Sequence, residues 1–258
     1  MSGIMMKIWL LSDTHFEMGN PQIIIPAEEV DVIVFAGDIH MYHQVFAKIY
    51  DILDDYMNVH SNIPDVVYVP GNHEYYDNDI DYVNNYLKQT FDEFSTFHYL
   101  RLSKPAVTIR GVDFVGDILW GDGGDHNPVA EYDIKSRVAD FRYITNGGDK
   151  FTPEVMNRLN KNGRKSIINA LSKSKSDKTV VVSHYLPSYE CVSERFVGSF
   201  VNGAFASEQS NVMDAYNPNV WLFGHTHDQV DTQIFNTRCI AEPCGLGRRE
   251  YHGKIIEV

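Results

Sequence analysis

Short apolar runs in this chain repeatedly end in acidic, amide or imidazole side chains, and no other feature constrains the fold as strongly. Residues 32–36 read Val-Ile-Val-Phe-Ala and lead directly into Gly37-Asp38. Runs of about four to eight apolar residues are typical of buried strands, and functional side chains collect at the carboxyl ends of such strands. Five runs follow this pattern, and they end in Ser12-Asp13-Thr14-His15, Gly37-Asp38, Gly71-Asn72-His73-Glu74, Ser183-His184 and Gly224-His225-Thr226-His227.

The segments between these runs have helical periodicity. Apolar residues recur at three- and four-residue spacing over residues 45–56 and 80–94, which predicts two crossover helices. Thr152 followed by Pro153 predicts the start of a third helix, because threonine is a good N-cap and proline is tolerated in the first turn. Gly163 is the expected point of interruption in this helix.

Hairpins and one long connection complete the pattern. Residues 107–115 and 232–240 alternate between apolar and polar side chains and predict two hairpins. Strands early and late in the chain therefore indicate two facing sheets. Residues 120–149 are rich in Gly and Asp and too long for an ordinary connection, so we expect an active-site cap or loop there. Since no linker interrupts the chain, residues 1–258 are predicted to form a single domain.

Charge and composition exclude several classes of partner. The chain carries 22 Lys+Arg against 35 Asp+Glu, a formal charge of −13, whereas proteins that bind duplex nucleic acid need clustered basic side chains. No run approaches the roughly 18 apolar residues of a membrane span, and the first residues lack a signal pattern. Three cysteines in so long a chain predict no disulfide framework. We expect a soluble cytoplasmic protein with no membrane or long duplex partner, and the sequence leaves its oligomeric state open.

The polar side chains at the strand ends form a ligand set of oxygen and nitrogen donors without thiolate. Such a set suits manganese, iron, zinc, nickel or cobalt. It is too large for one tetrahedral ion, but a bridging carboxylate would divide it into two sites with open positions. Two ions about 3.5–4 Å apart can activate water and clamp the oxygens of an in-line displacement at phosphorus. The candidate ligands are Asp13, His15, Asp38, Asn72, His184, His225 and His227.

These motifs give the chain a family resemblance. Asp-x-His, Gly-Asp, Gly-Asn-His-Glu, a lone His after a strand and Gly-His-Thr-His follow one another in the order and spacing of the calcineurin-like metallophosphoesterases. The resemblance extends from Ile8 to about Pro243. Outside these blocks, Asp140-Phe141-Arg142 is similar to a group of small bacterial and phage members.

The resemblance implies a role for each candidate residue. Asp13, His15 and His227 are expected to bind the first metal ion, Asp38 to bridge, and Asn72, His184 and His225 to bind the second. A hydroxide bridging the two ions is expected to attack phosphorus. His73 is not expected to be a ligand but to face the substrate as the general acid. The predicted catalytic residues are His73, Asp38 and Asn72.

The resemblance also implies a fold and a reaction. The expected fold is α/β, a four-layer α/β/β/α sandwich of two mixed sheets flanked by helices. The expected activity is metal-dependent phosphoester hydrolysis with two divalent ions, manganese first, and iron, zinc, nickel or cobalt as alternatives. We expect a phosphodiesterase acting on a small or nucleotide-like phosphoester, because the chain is short, acidic and has one cap.

Other functions stay open at this stage. A phosphomonoesterase, including a protein Ser/Thr phosphatase, is the main alternative, although Pro70 stands where protein phosphatases commonly have Arg before Gly-Asn-His-Glu. A non-catalytic scaffold of the same fold is a further alternative, but inactive members usually lack ligands or the histidine at position 73. A nuclease for long nucleic acids fits the acidic composition poorly.

Several side chains near these motifs have two interpretations. Glu74 is expected to orient its loop by hydrogen bonding and not to act as a base. Tyr75 and Tyr76 could stack on an aromatic substrate group or pack in the core. Arg142 could bind phosphate, or it could form an ion pair with Asp140 or contact a helix terminus.

Two further groups could suggest additional sites. Asp122, Asp125 and Asn127 could form another cation site, but turns of this composition are common without one. Cys239 and Cys244 are expected to be packing residues.

Overall fold

The computed structural model describes residues 5–124 and 128–258, and in it the apolar runs pair into two large sheets. The strands of these sheets are β1 (Lys7–Leu11), β2 (Val32–Ala36), β3 (Asp65–Val69), β4 (Phe97–Tyr99), β5 (Ala106–Ile109), β6 (Val112–Gly116), β7 (Lys178–Val182), β8 (Val220–Phe223), β9 (Val230–Ile234), β10 (Thr237–Ala241) and β11 (Lys254–Glu257). Short strands pair beside them at Gln22–Ile23, Asn78–Asp79, Ile144–Asn146, Asp149–Lys150 and Glu250–Tyr251.

Both large sheets are mixed. The first has five strands in the order β11-β1-β2-β3-β4, in which only β11 runs antiparallel to its neighbour. The second has six strands in the order β9-β10-β8-β7-β6-β5, and its antiparallel strands β5 and β9 lie at the two edges. The central strands are parallel, so their carboxyl ends lie at one edge of each sheet.

Helices flank the two large sheets. They are α1 (Tyr42–Val59), α2 (Ile80–Phe91), α3 (Pro128–Arg137), α4 (Asp140–Tyr143), α5 (Pro153–Leu171) and α6 (Ser210–Tyr216). Short 3-10 helices lie at His73–Tyr75, Tyr189–Cys191, Glu194–Phe196 and Asn202–Ala204.

Three apolar clusters show how the layers pack. Alternate side chains of β1 point in opposite directions: Ile8 joins residues of the second sheet, such as Phe114, in a central cluster, whereas Trp9 joins Ile49 of α1 in an outer cluster. The third cluster joins the outer face of the second sheet to α5 and α6. Three buried interfaces separate four layers, which confirms the predicted α/β/β/α sandwich.

The predicted third helix begins as expected but is not interrupted. The Thr152 side chain accepts a hydrogen bond from the Val155 amide, and the helix then runs unbroken through Gly163 to Leu171. A Cβ at Gly163 would lie 2.6 Å from Oδ1 of Asp117. Glycine is therefore needed at this position for close packing against a buried carboxylate, and the prediction of a break was wrong.

The long connection at 120–149 contains more regular structure than its composition indicates. It includes helices α3 and α4 and the strand Ile144–Asn146, which pairs with Asn78–Asp79. The two predicted hairpins are present as β5–β6 and β9–β10. Within the part of the chain that the structure describes, no helix is long and apolar enough to cross a membrane.

Candidate metal centre and active site

The strand ends bring the predicted ligands together at one edge of the sandwich. Donor atoms of Asp13, His15, Asp38 and His227 all lie within 4.8 Å of one another, and so do those of Asp38, His184 and His225. Asp38 belongs to both groups, as expected for a bridging carboxylate. Its Oδ2 lies 3.6 Å from Nε2 of His15 and 3.4 Å from Nε2 of His184.

Asn72 lies beside the second group. Its Oδ1 is 3.1 Å from Nε2 of His184, and its Nδ2 donates a hydrogen bond of 2.9 Å to Oδ1 of Asp140. The amide therefore points its oxygen toward the imidazoles and its nitrogen away from them. All seven predicted ligands are in this cluster.

The backbone is left-handed at most of these ligands. The φ angle is 53° at Asp13, 45° at His15, 54° at Asp38, 65° at His225 and 52° at His227. Residues other than glycine seldom adopt such angles, and each one costs on the order of 1–3 kcal/mol unless its surroundings enforce it. The sharp turn after each strand redirects the side chain toward the shared centre.

Glycine and a buried carboxylate hold the Asp38 turn in place. A Cβ at Gly71 would lie 2.1 Å from Oδ1 of Asp38, so only glycine fits there. The fully buried Glu74 carboxylate accepts hydrogen bonds from the amides of Asp38, Ile39 and Gly71. This geometry matches the expected orienting role of Glu74.

Hydrogen bonds that Nδ1 donates orient two of the histidines. Nδ1 of His15 lies 3.0 Å from Oε1 of Glu17, and Nδ1 of His184 lies 2.8 Å from the carbonyl oxygen of Ala36. Because a neutral imidazole carries one proton, a proton on Nδ1 leaves the lone pair on Nε2. Such outer partners are characteristic of metal-binding histidines.

The cluster suits divalent cations. Nε2 of His225 is buried and has no hydrogen-bond partner among the described residues, and Nε2 of His15 lies only 3.0 Å from Nε2 of His227. A buried acceptor without a donor is costly, and an ion bound to Nε2 of His225 would satisfy it. The donors are imidazole nitrogens, carboxylates and one amide oxygen, so the residues present fit two divalent metal ions.

The electrostatics favour charged carboxylates at this centre. Burial opposes ionisation of Asp38, but the nearby imidazoles of His184 and His73 outweigh it and hold the pKa of Asp38 well below its usual range. Burial likewise opposes ionisation of Asp13, whereas its hydrogen bond with His227 lowers the pKa. Both carboxylates are therefore available as anionic ligands near neutral pH.

His73 lies at the edge of the centre and has a carboxylate partner that the sequence analysis missed. Its Nδ1 is 2.9 Å from Oε1 of Glu17, the oxygen that also contacts His15. Burial lowers the pKa of His73, but Asp38 and Glu17 outweigh it and raise the pKa to about 9. The position of Glu17, two residues after His15, was the only signal in the sequence.

Asp140 is the second residue that the site analysis from sequence missed. This buried carboxylate accepts hydrogen bonds from Asn72 Nδ2 (2.9 Å), the Tyr76 hydroxyl (2.9 Å) and the Tyr185 hydroxyl (3.0 Å). Its membership in the Asp140-Phe141-Arg142 motif indicated a resemblance but not a contact with Asn72. The carboxylate holds the Asn72 amide in its observed orientation.

The two tyrosines after Glu74 have different environments in the structure. Tyr75 is buried and donates to Oδ1 of Asn84, so it is a packing residue. Tyr76 stacks on His73 with ring centroids 4.3 Å apart and lines the cavity over the centre. Arg142 donates to the carbonyl of Ser136, near the end of α3, which fits its helix-terminus interpretation.

Asp122 has a structural role in the described structure. Its carboxylate accepts hydrogen bonds from the Tyr189 hydroxyl and from the amides of Gly124 and Glu208. Asp125 and Asn127, the other members of the suggested cation site, lie outside the described residues.

The three cysteines are free thiols in the interior. Cys191, Cys239 and Cys244 are all buried, and Cys239 and Cys244 belong to apolar clusters. The expectation that Cys239 and Cys244 are packing residues agrees with this placement.

A cavity of about 450 Å³ opens directly onto the centre. Its floor includes Asp38, Asn72, His73 and His225. Residues Arg137 to Asp140, from the connection predicted as a cap or loop, form one side. The volume is in the range of small-ligand sites, so a substrate can reach the clustered polar groups.

The sequence of this chain is similar to known proteins, and the similarity agrees with the geometry of the candidate metal centre. Residues 6–229 match the family model for calcineurin-like phosphoesterases. Uncharacterized protein L509 of Acanthamoeba polyphaga mimivirus is 26% identical over 179 residues, and the match covers 63% of this chain and 61% of that protein. The match thus spans about three-fifths of that curated relative.

A solved structure shares the fold. Phosphopantetheinyl hydrolase from Mycobacterium tuberculosis superposes with a TM-score of 0.68 at 17% identity, covering 94% of this chain and 90% of that one. At this identity the similarity describes the fold and not the substrate.

Proposed function

The chain belongs to the calcineurin-like phosphoesterase family, and from this premise we propose that it is a phosphoester hydrolase that cleaves small or nucleotide-like phosphodiesters with two divalent metal ions. The observation that carries this proposal is the pair of donor groups that share Asp38. A shared carboxylate can hold two ions close together, as in-line displacement at phosphorus requires.

The residues divide between two ions. Asp13, His15 and His227 would hold one ion, and Asn72, His184 and His225 the other, with Asp38 between them. When bound, the two ions supply an activated water and positive charge against the phosphate oxygens. The oxygen and nitrogen donors support manganese as the first metal to test.

His73 serves as the general acid in this proposal. Its Nδ1 is engaged with Glu17, which leaves Nε2 as the nitrogen that delivers a proton. A departing alkoxide needs a proton, and an imidazolium within hydrogen-bond reach supplies it. Tyr76, stacked on the ring, fixes its orientation.

The preference for diesters over monoesters rests on the charge around the cavity. A phosphomonoester carries an additional negative charge near neutral pH, and a site for it gains from free basic side chains. Arg195, which lines the cavity, makes two hydrogen bonds of 2.8 Å to the Asp228 carboxylate. Arg137, on the other side, pairs with Asp133 at 3.7 Å. Both arginines that line this cavity therefore already have carboxylate partners.

Paired chromogenic substrates test the proposal. The protein is stripped with a chelator, reloaded with manganese, nickel, zinc or iron, and assayed on bis-p-nitrophenyl phosphate and p-nitrophenyl phosphate. We expect metal-dependent turnover with the diester faster, and a loss of about 10²–10⁴-fold in His73→Ala. Faster monoester turnover would replace the diesterase with a phosphatase, and activity of Asp38→Ala in metal-free buffer would refute the two-metal mechanism.

A further inference from the structure

One wall of the cavity is apolar and takes no part in holding the metal ions. It comes from residues 186–205, between β7 and α6, to which the sequence analysis assigned no role. The wall residues, hereafter the apolar wall, are Leu186, Val192, Phe196, Val201 and Phe205.

The apolar wall contacts the metal centre through Phe205. Its ring stacks on the imidazole of His225 with centroids 4.9 Å apart and an interplanar angle of 27°. Phe196 lies further out and is 45% exposed, with the Arg195 guanidinium 4.6 Å from its ring centroid. Apolar surface therefore extends from a candidate ligand to the mouth of the cavity.

Backbone hydrogen bonds hold the apolar wall in position. The Leu186 amide donates to the Phe205 carbonyl, and the Ser207 amide donates to the Leu186 carbonyl. The Asp122 carboxylate holds the segment at two further points, the Tyr189 hydroxyl and the Glu208 amide. A wall that is already in place requires little ordering when a ligand binds, which favours affinity.

We propose that the apolar wall is a binding subsite for a flat apolar group, an aryl ring or a nucleobase, joined to the phosphoryl group of the substrate. The inference rests on the proposed function in one respect, that the phosphoryl group lies at the metal ligands. Aromatic and aliphatic side chains beside convergent polar groups are typical of sites for such ligands, and aromatic rings favour stacked or edge contacts with other rings. The volume of about 450 Å³ accommodates a group of nucleoside size.

Equilibrium binding tests the subsite without turnover. Adenosine 5′-monophosphate and ribose 5-phosphate carry the same phosphate and differ in the base, and both are titrated calorimetrically into manganese-loaded protein. We expect the nucleotide to bind at least about 10-fold more tightly, because only its base reaches the apolar wall. Equal affinities, or no measurable binding of the nucleotide, would overturn the proposal.

Substitutions in the apolar wall test whether the wall causes the difference in affinity between the two ligands. Phe196→Ala removes a ring of the wall without a contact to His225, and Phe205→Leu keeps apolar area but removes the stacking face. Both should reduce the ratio of nucleotide to ribose 5-phosphate affinity severalfold. Phe235→Ala is the matched control, since Phe235 is 57% exposed at the β9–β10 turn and does not line the cavity. A ratio unchanged in the wall variants would place the base elsewhere and overturn the proposal.

The rates at which two diesters are hydrolysed distinguish this inference from the proposed function. Thymidine 5′-(p-nitrophenyl phosphate) and methyl p-nitrophenyl phosphate are diesters with the same leaving group. We expect kcat/KM to favour the thymidine ester by at least about 10-fold. Equal turnover of both that Phe196→Ala leaves unchanged would overturn the subsite and leave the phosphodiesterase intact, whereas no turnover of either together with selective nucleotide binding would support the subsite and refute the diesterase.

Discussion

Asp140 Oδ1 accepts a hydrogen bond of 2.9 Å from Nδ2 of Asn72, and this contact determines which end of the Asn72 amide faces the metal centre. The two residues are 68 positions apart in the chain. An asparagine amide can turn about its last bond and exchange its oxygen for its nitrogen. A fixed acceptor behind the nitrogen prevents this, so Asp140 acts as a positioning residue for the proposed ligand Asn72.

Substitution of Asp140 should therefore change metal binding. Asp140→Leu removes the carboxylate that accepts from Asn72 Nδ2 and from the hydroxyls of Tyr76 and Tyr185, whereas Asp140→Asn still offers an oxygen to Asn72 and Tyr76. We expect the leucine variant to lose about 10–100-fold in affinity for the second manganese ion and the asparagine variant to lose much less. Equilibrium dialysis against manganese measures both, and two ions bound to Asp140→Leu with wild-type affinity would contradict this role.

Single ligand substitutions should affect the two ions unequally. Asp38 belongs to both donor groups, whereas His227 belongs to the first and His184 to the second. Asp38→Ala should weaken both ions, and His227→Ala and His184→Ala should each release one. Elemental analysis after gel filtration gives the metal-to-protein ratio. Two ions retained in Asp38→Ala would show that it is not a shared ligand.

Gly71→Ala should disrupt the site through sterics alone. The new Cβ would lie 2.1 Å from Oδ1 of Asp38 and 2.5 Å from its amide nitrogen, so the Asp38 turn must move. Because catalytic groups need placement within a fraction of an ångström, turnover should fall at least about 100-fold. The control is Gly19→Ala, whose Cβ would meet no atom within 4 Å. Assays of diester turnover and metal content should separate the two variants, and equal behaviour would be inconsistent with the steric account.

Asp117 should make stability depend on pH. Burial raises the pKa of this carboxyl from 3.8 to about 6, so the folded state binds the proton more tightly than the unfolded chain does. The stabilising contribution of protonation is full below about pH 4 and is lost as the pH rises through about 6. A shift of about two units corresponds to about 3 kcal/mol.

Asp117→Asn tests this effect. Asparagine is neutral at every pH, and its oxygen can still accept the hydrogen bond of the Leu119 amide. The variant should therefore exceed the wild-type protein in free energy of unfolding by about 2–3 kcal/mol at pH 8 and by almost nothing at pH 4. Urea denaturation at both values measures the difference, and a gain that is the same at both would exclude titration of Asp117 as its cause.

Much of the fold and all seven proposed ligands could be predicted from sequence. Parallel strands end at one edge of a sheet, so the polar residues after the apolar runs of each sheet were expected to collect at the same edge of that sheet. Periodicity also located α1, α2 and both hairpins. These predictions depend on local pattern and on general rules of sheet geometry.

The residues that were missed act through tertiary contacts that leave no local pattern. Glu17 reaches His73 across 56 positions, and Asp140 reaches Asn72 across 68. Gly163 resembles a helix breaker, yet it is needed because Asp117 packs against the helix at that point. The apolar wall consists of loops and short 3-10 helices, whose apolar residues follow neither helical nor strand spacing.

The left-handed backbone at five of the proposed ligands also limits how this centre can change in evolution. Asp and His tolerate such angles, Asn and Gly tolerate them at least as well, and β-branched residues tolerate them poorly. A substitution of Asp13 or His225 by Val or Ile would therefore destabilise the fold as well as remove a donor. A descendant that lost catalysis and kept the fold should carry Asn or Gly at these positions. Asn or Gly at several of them would therefore identify a former metal centre.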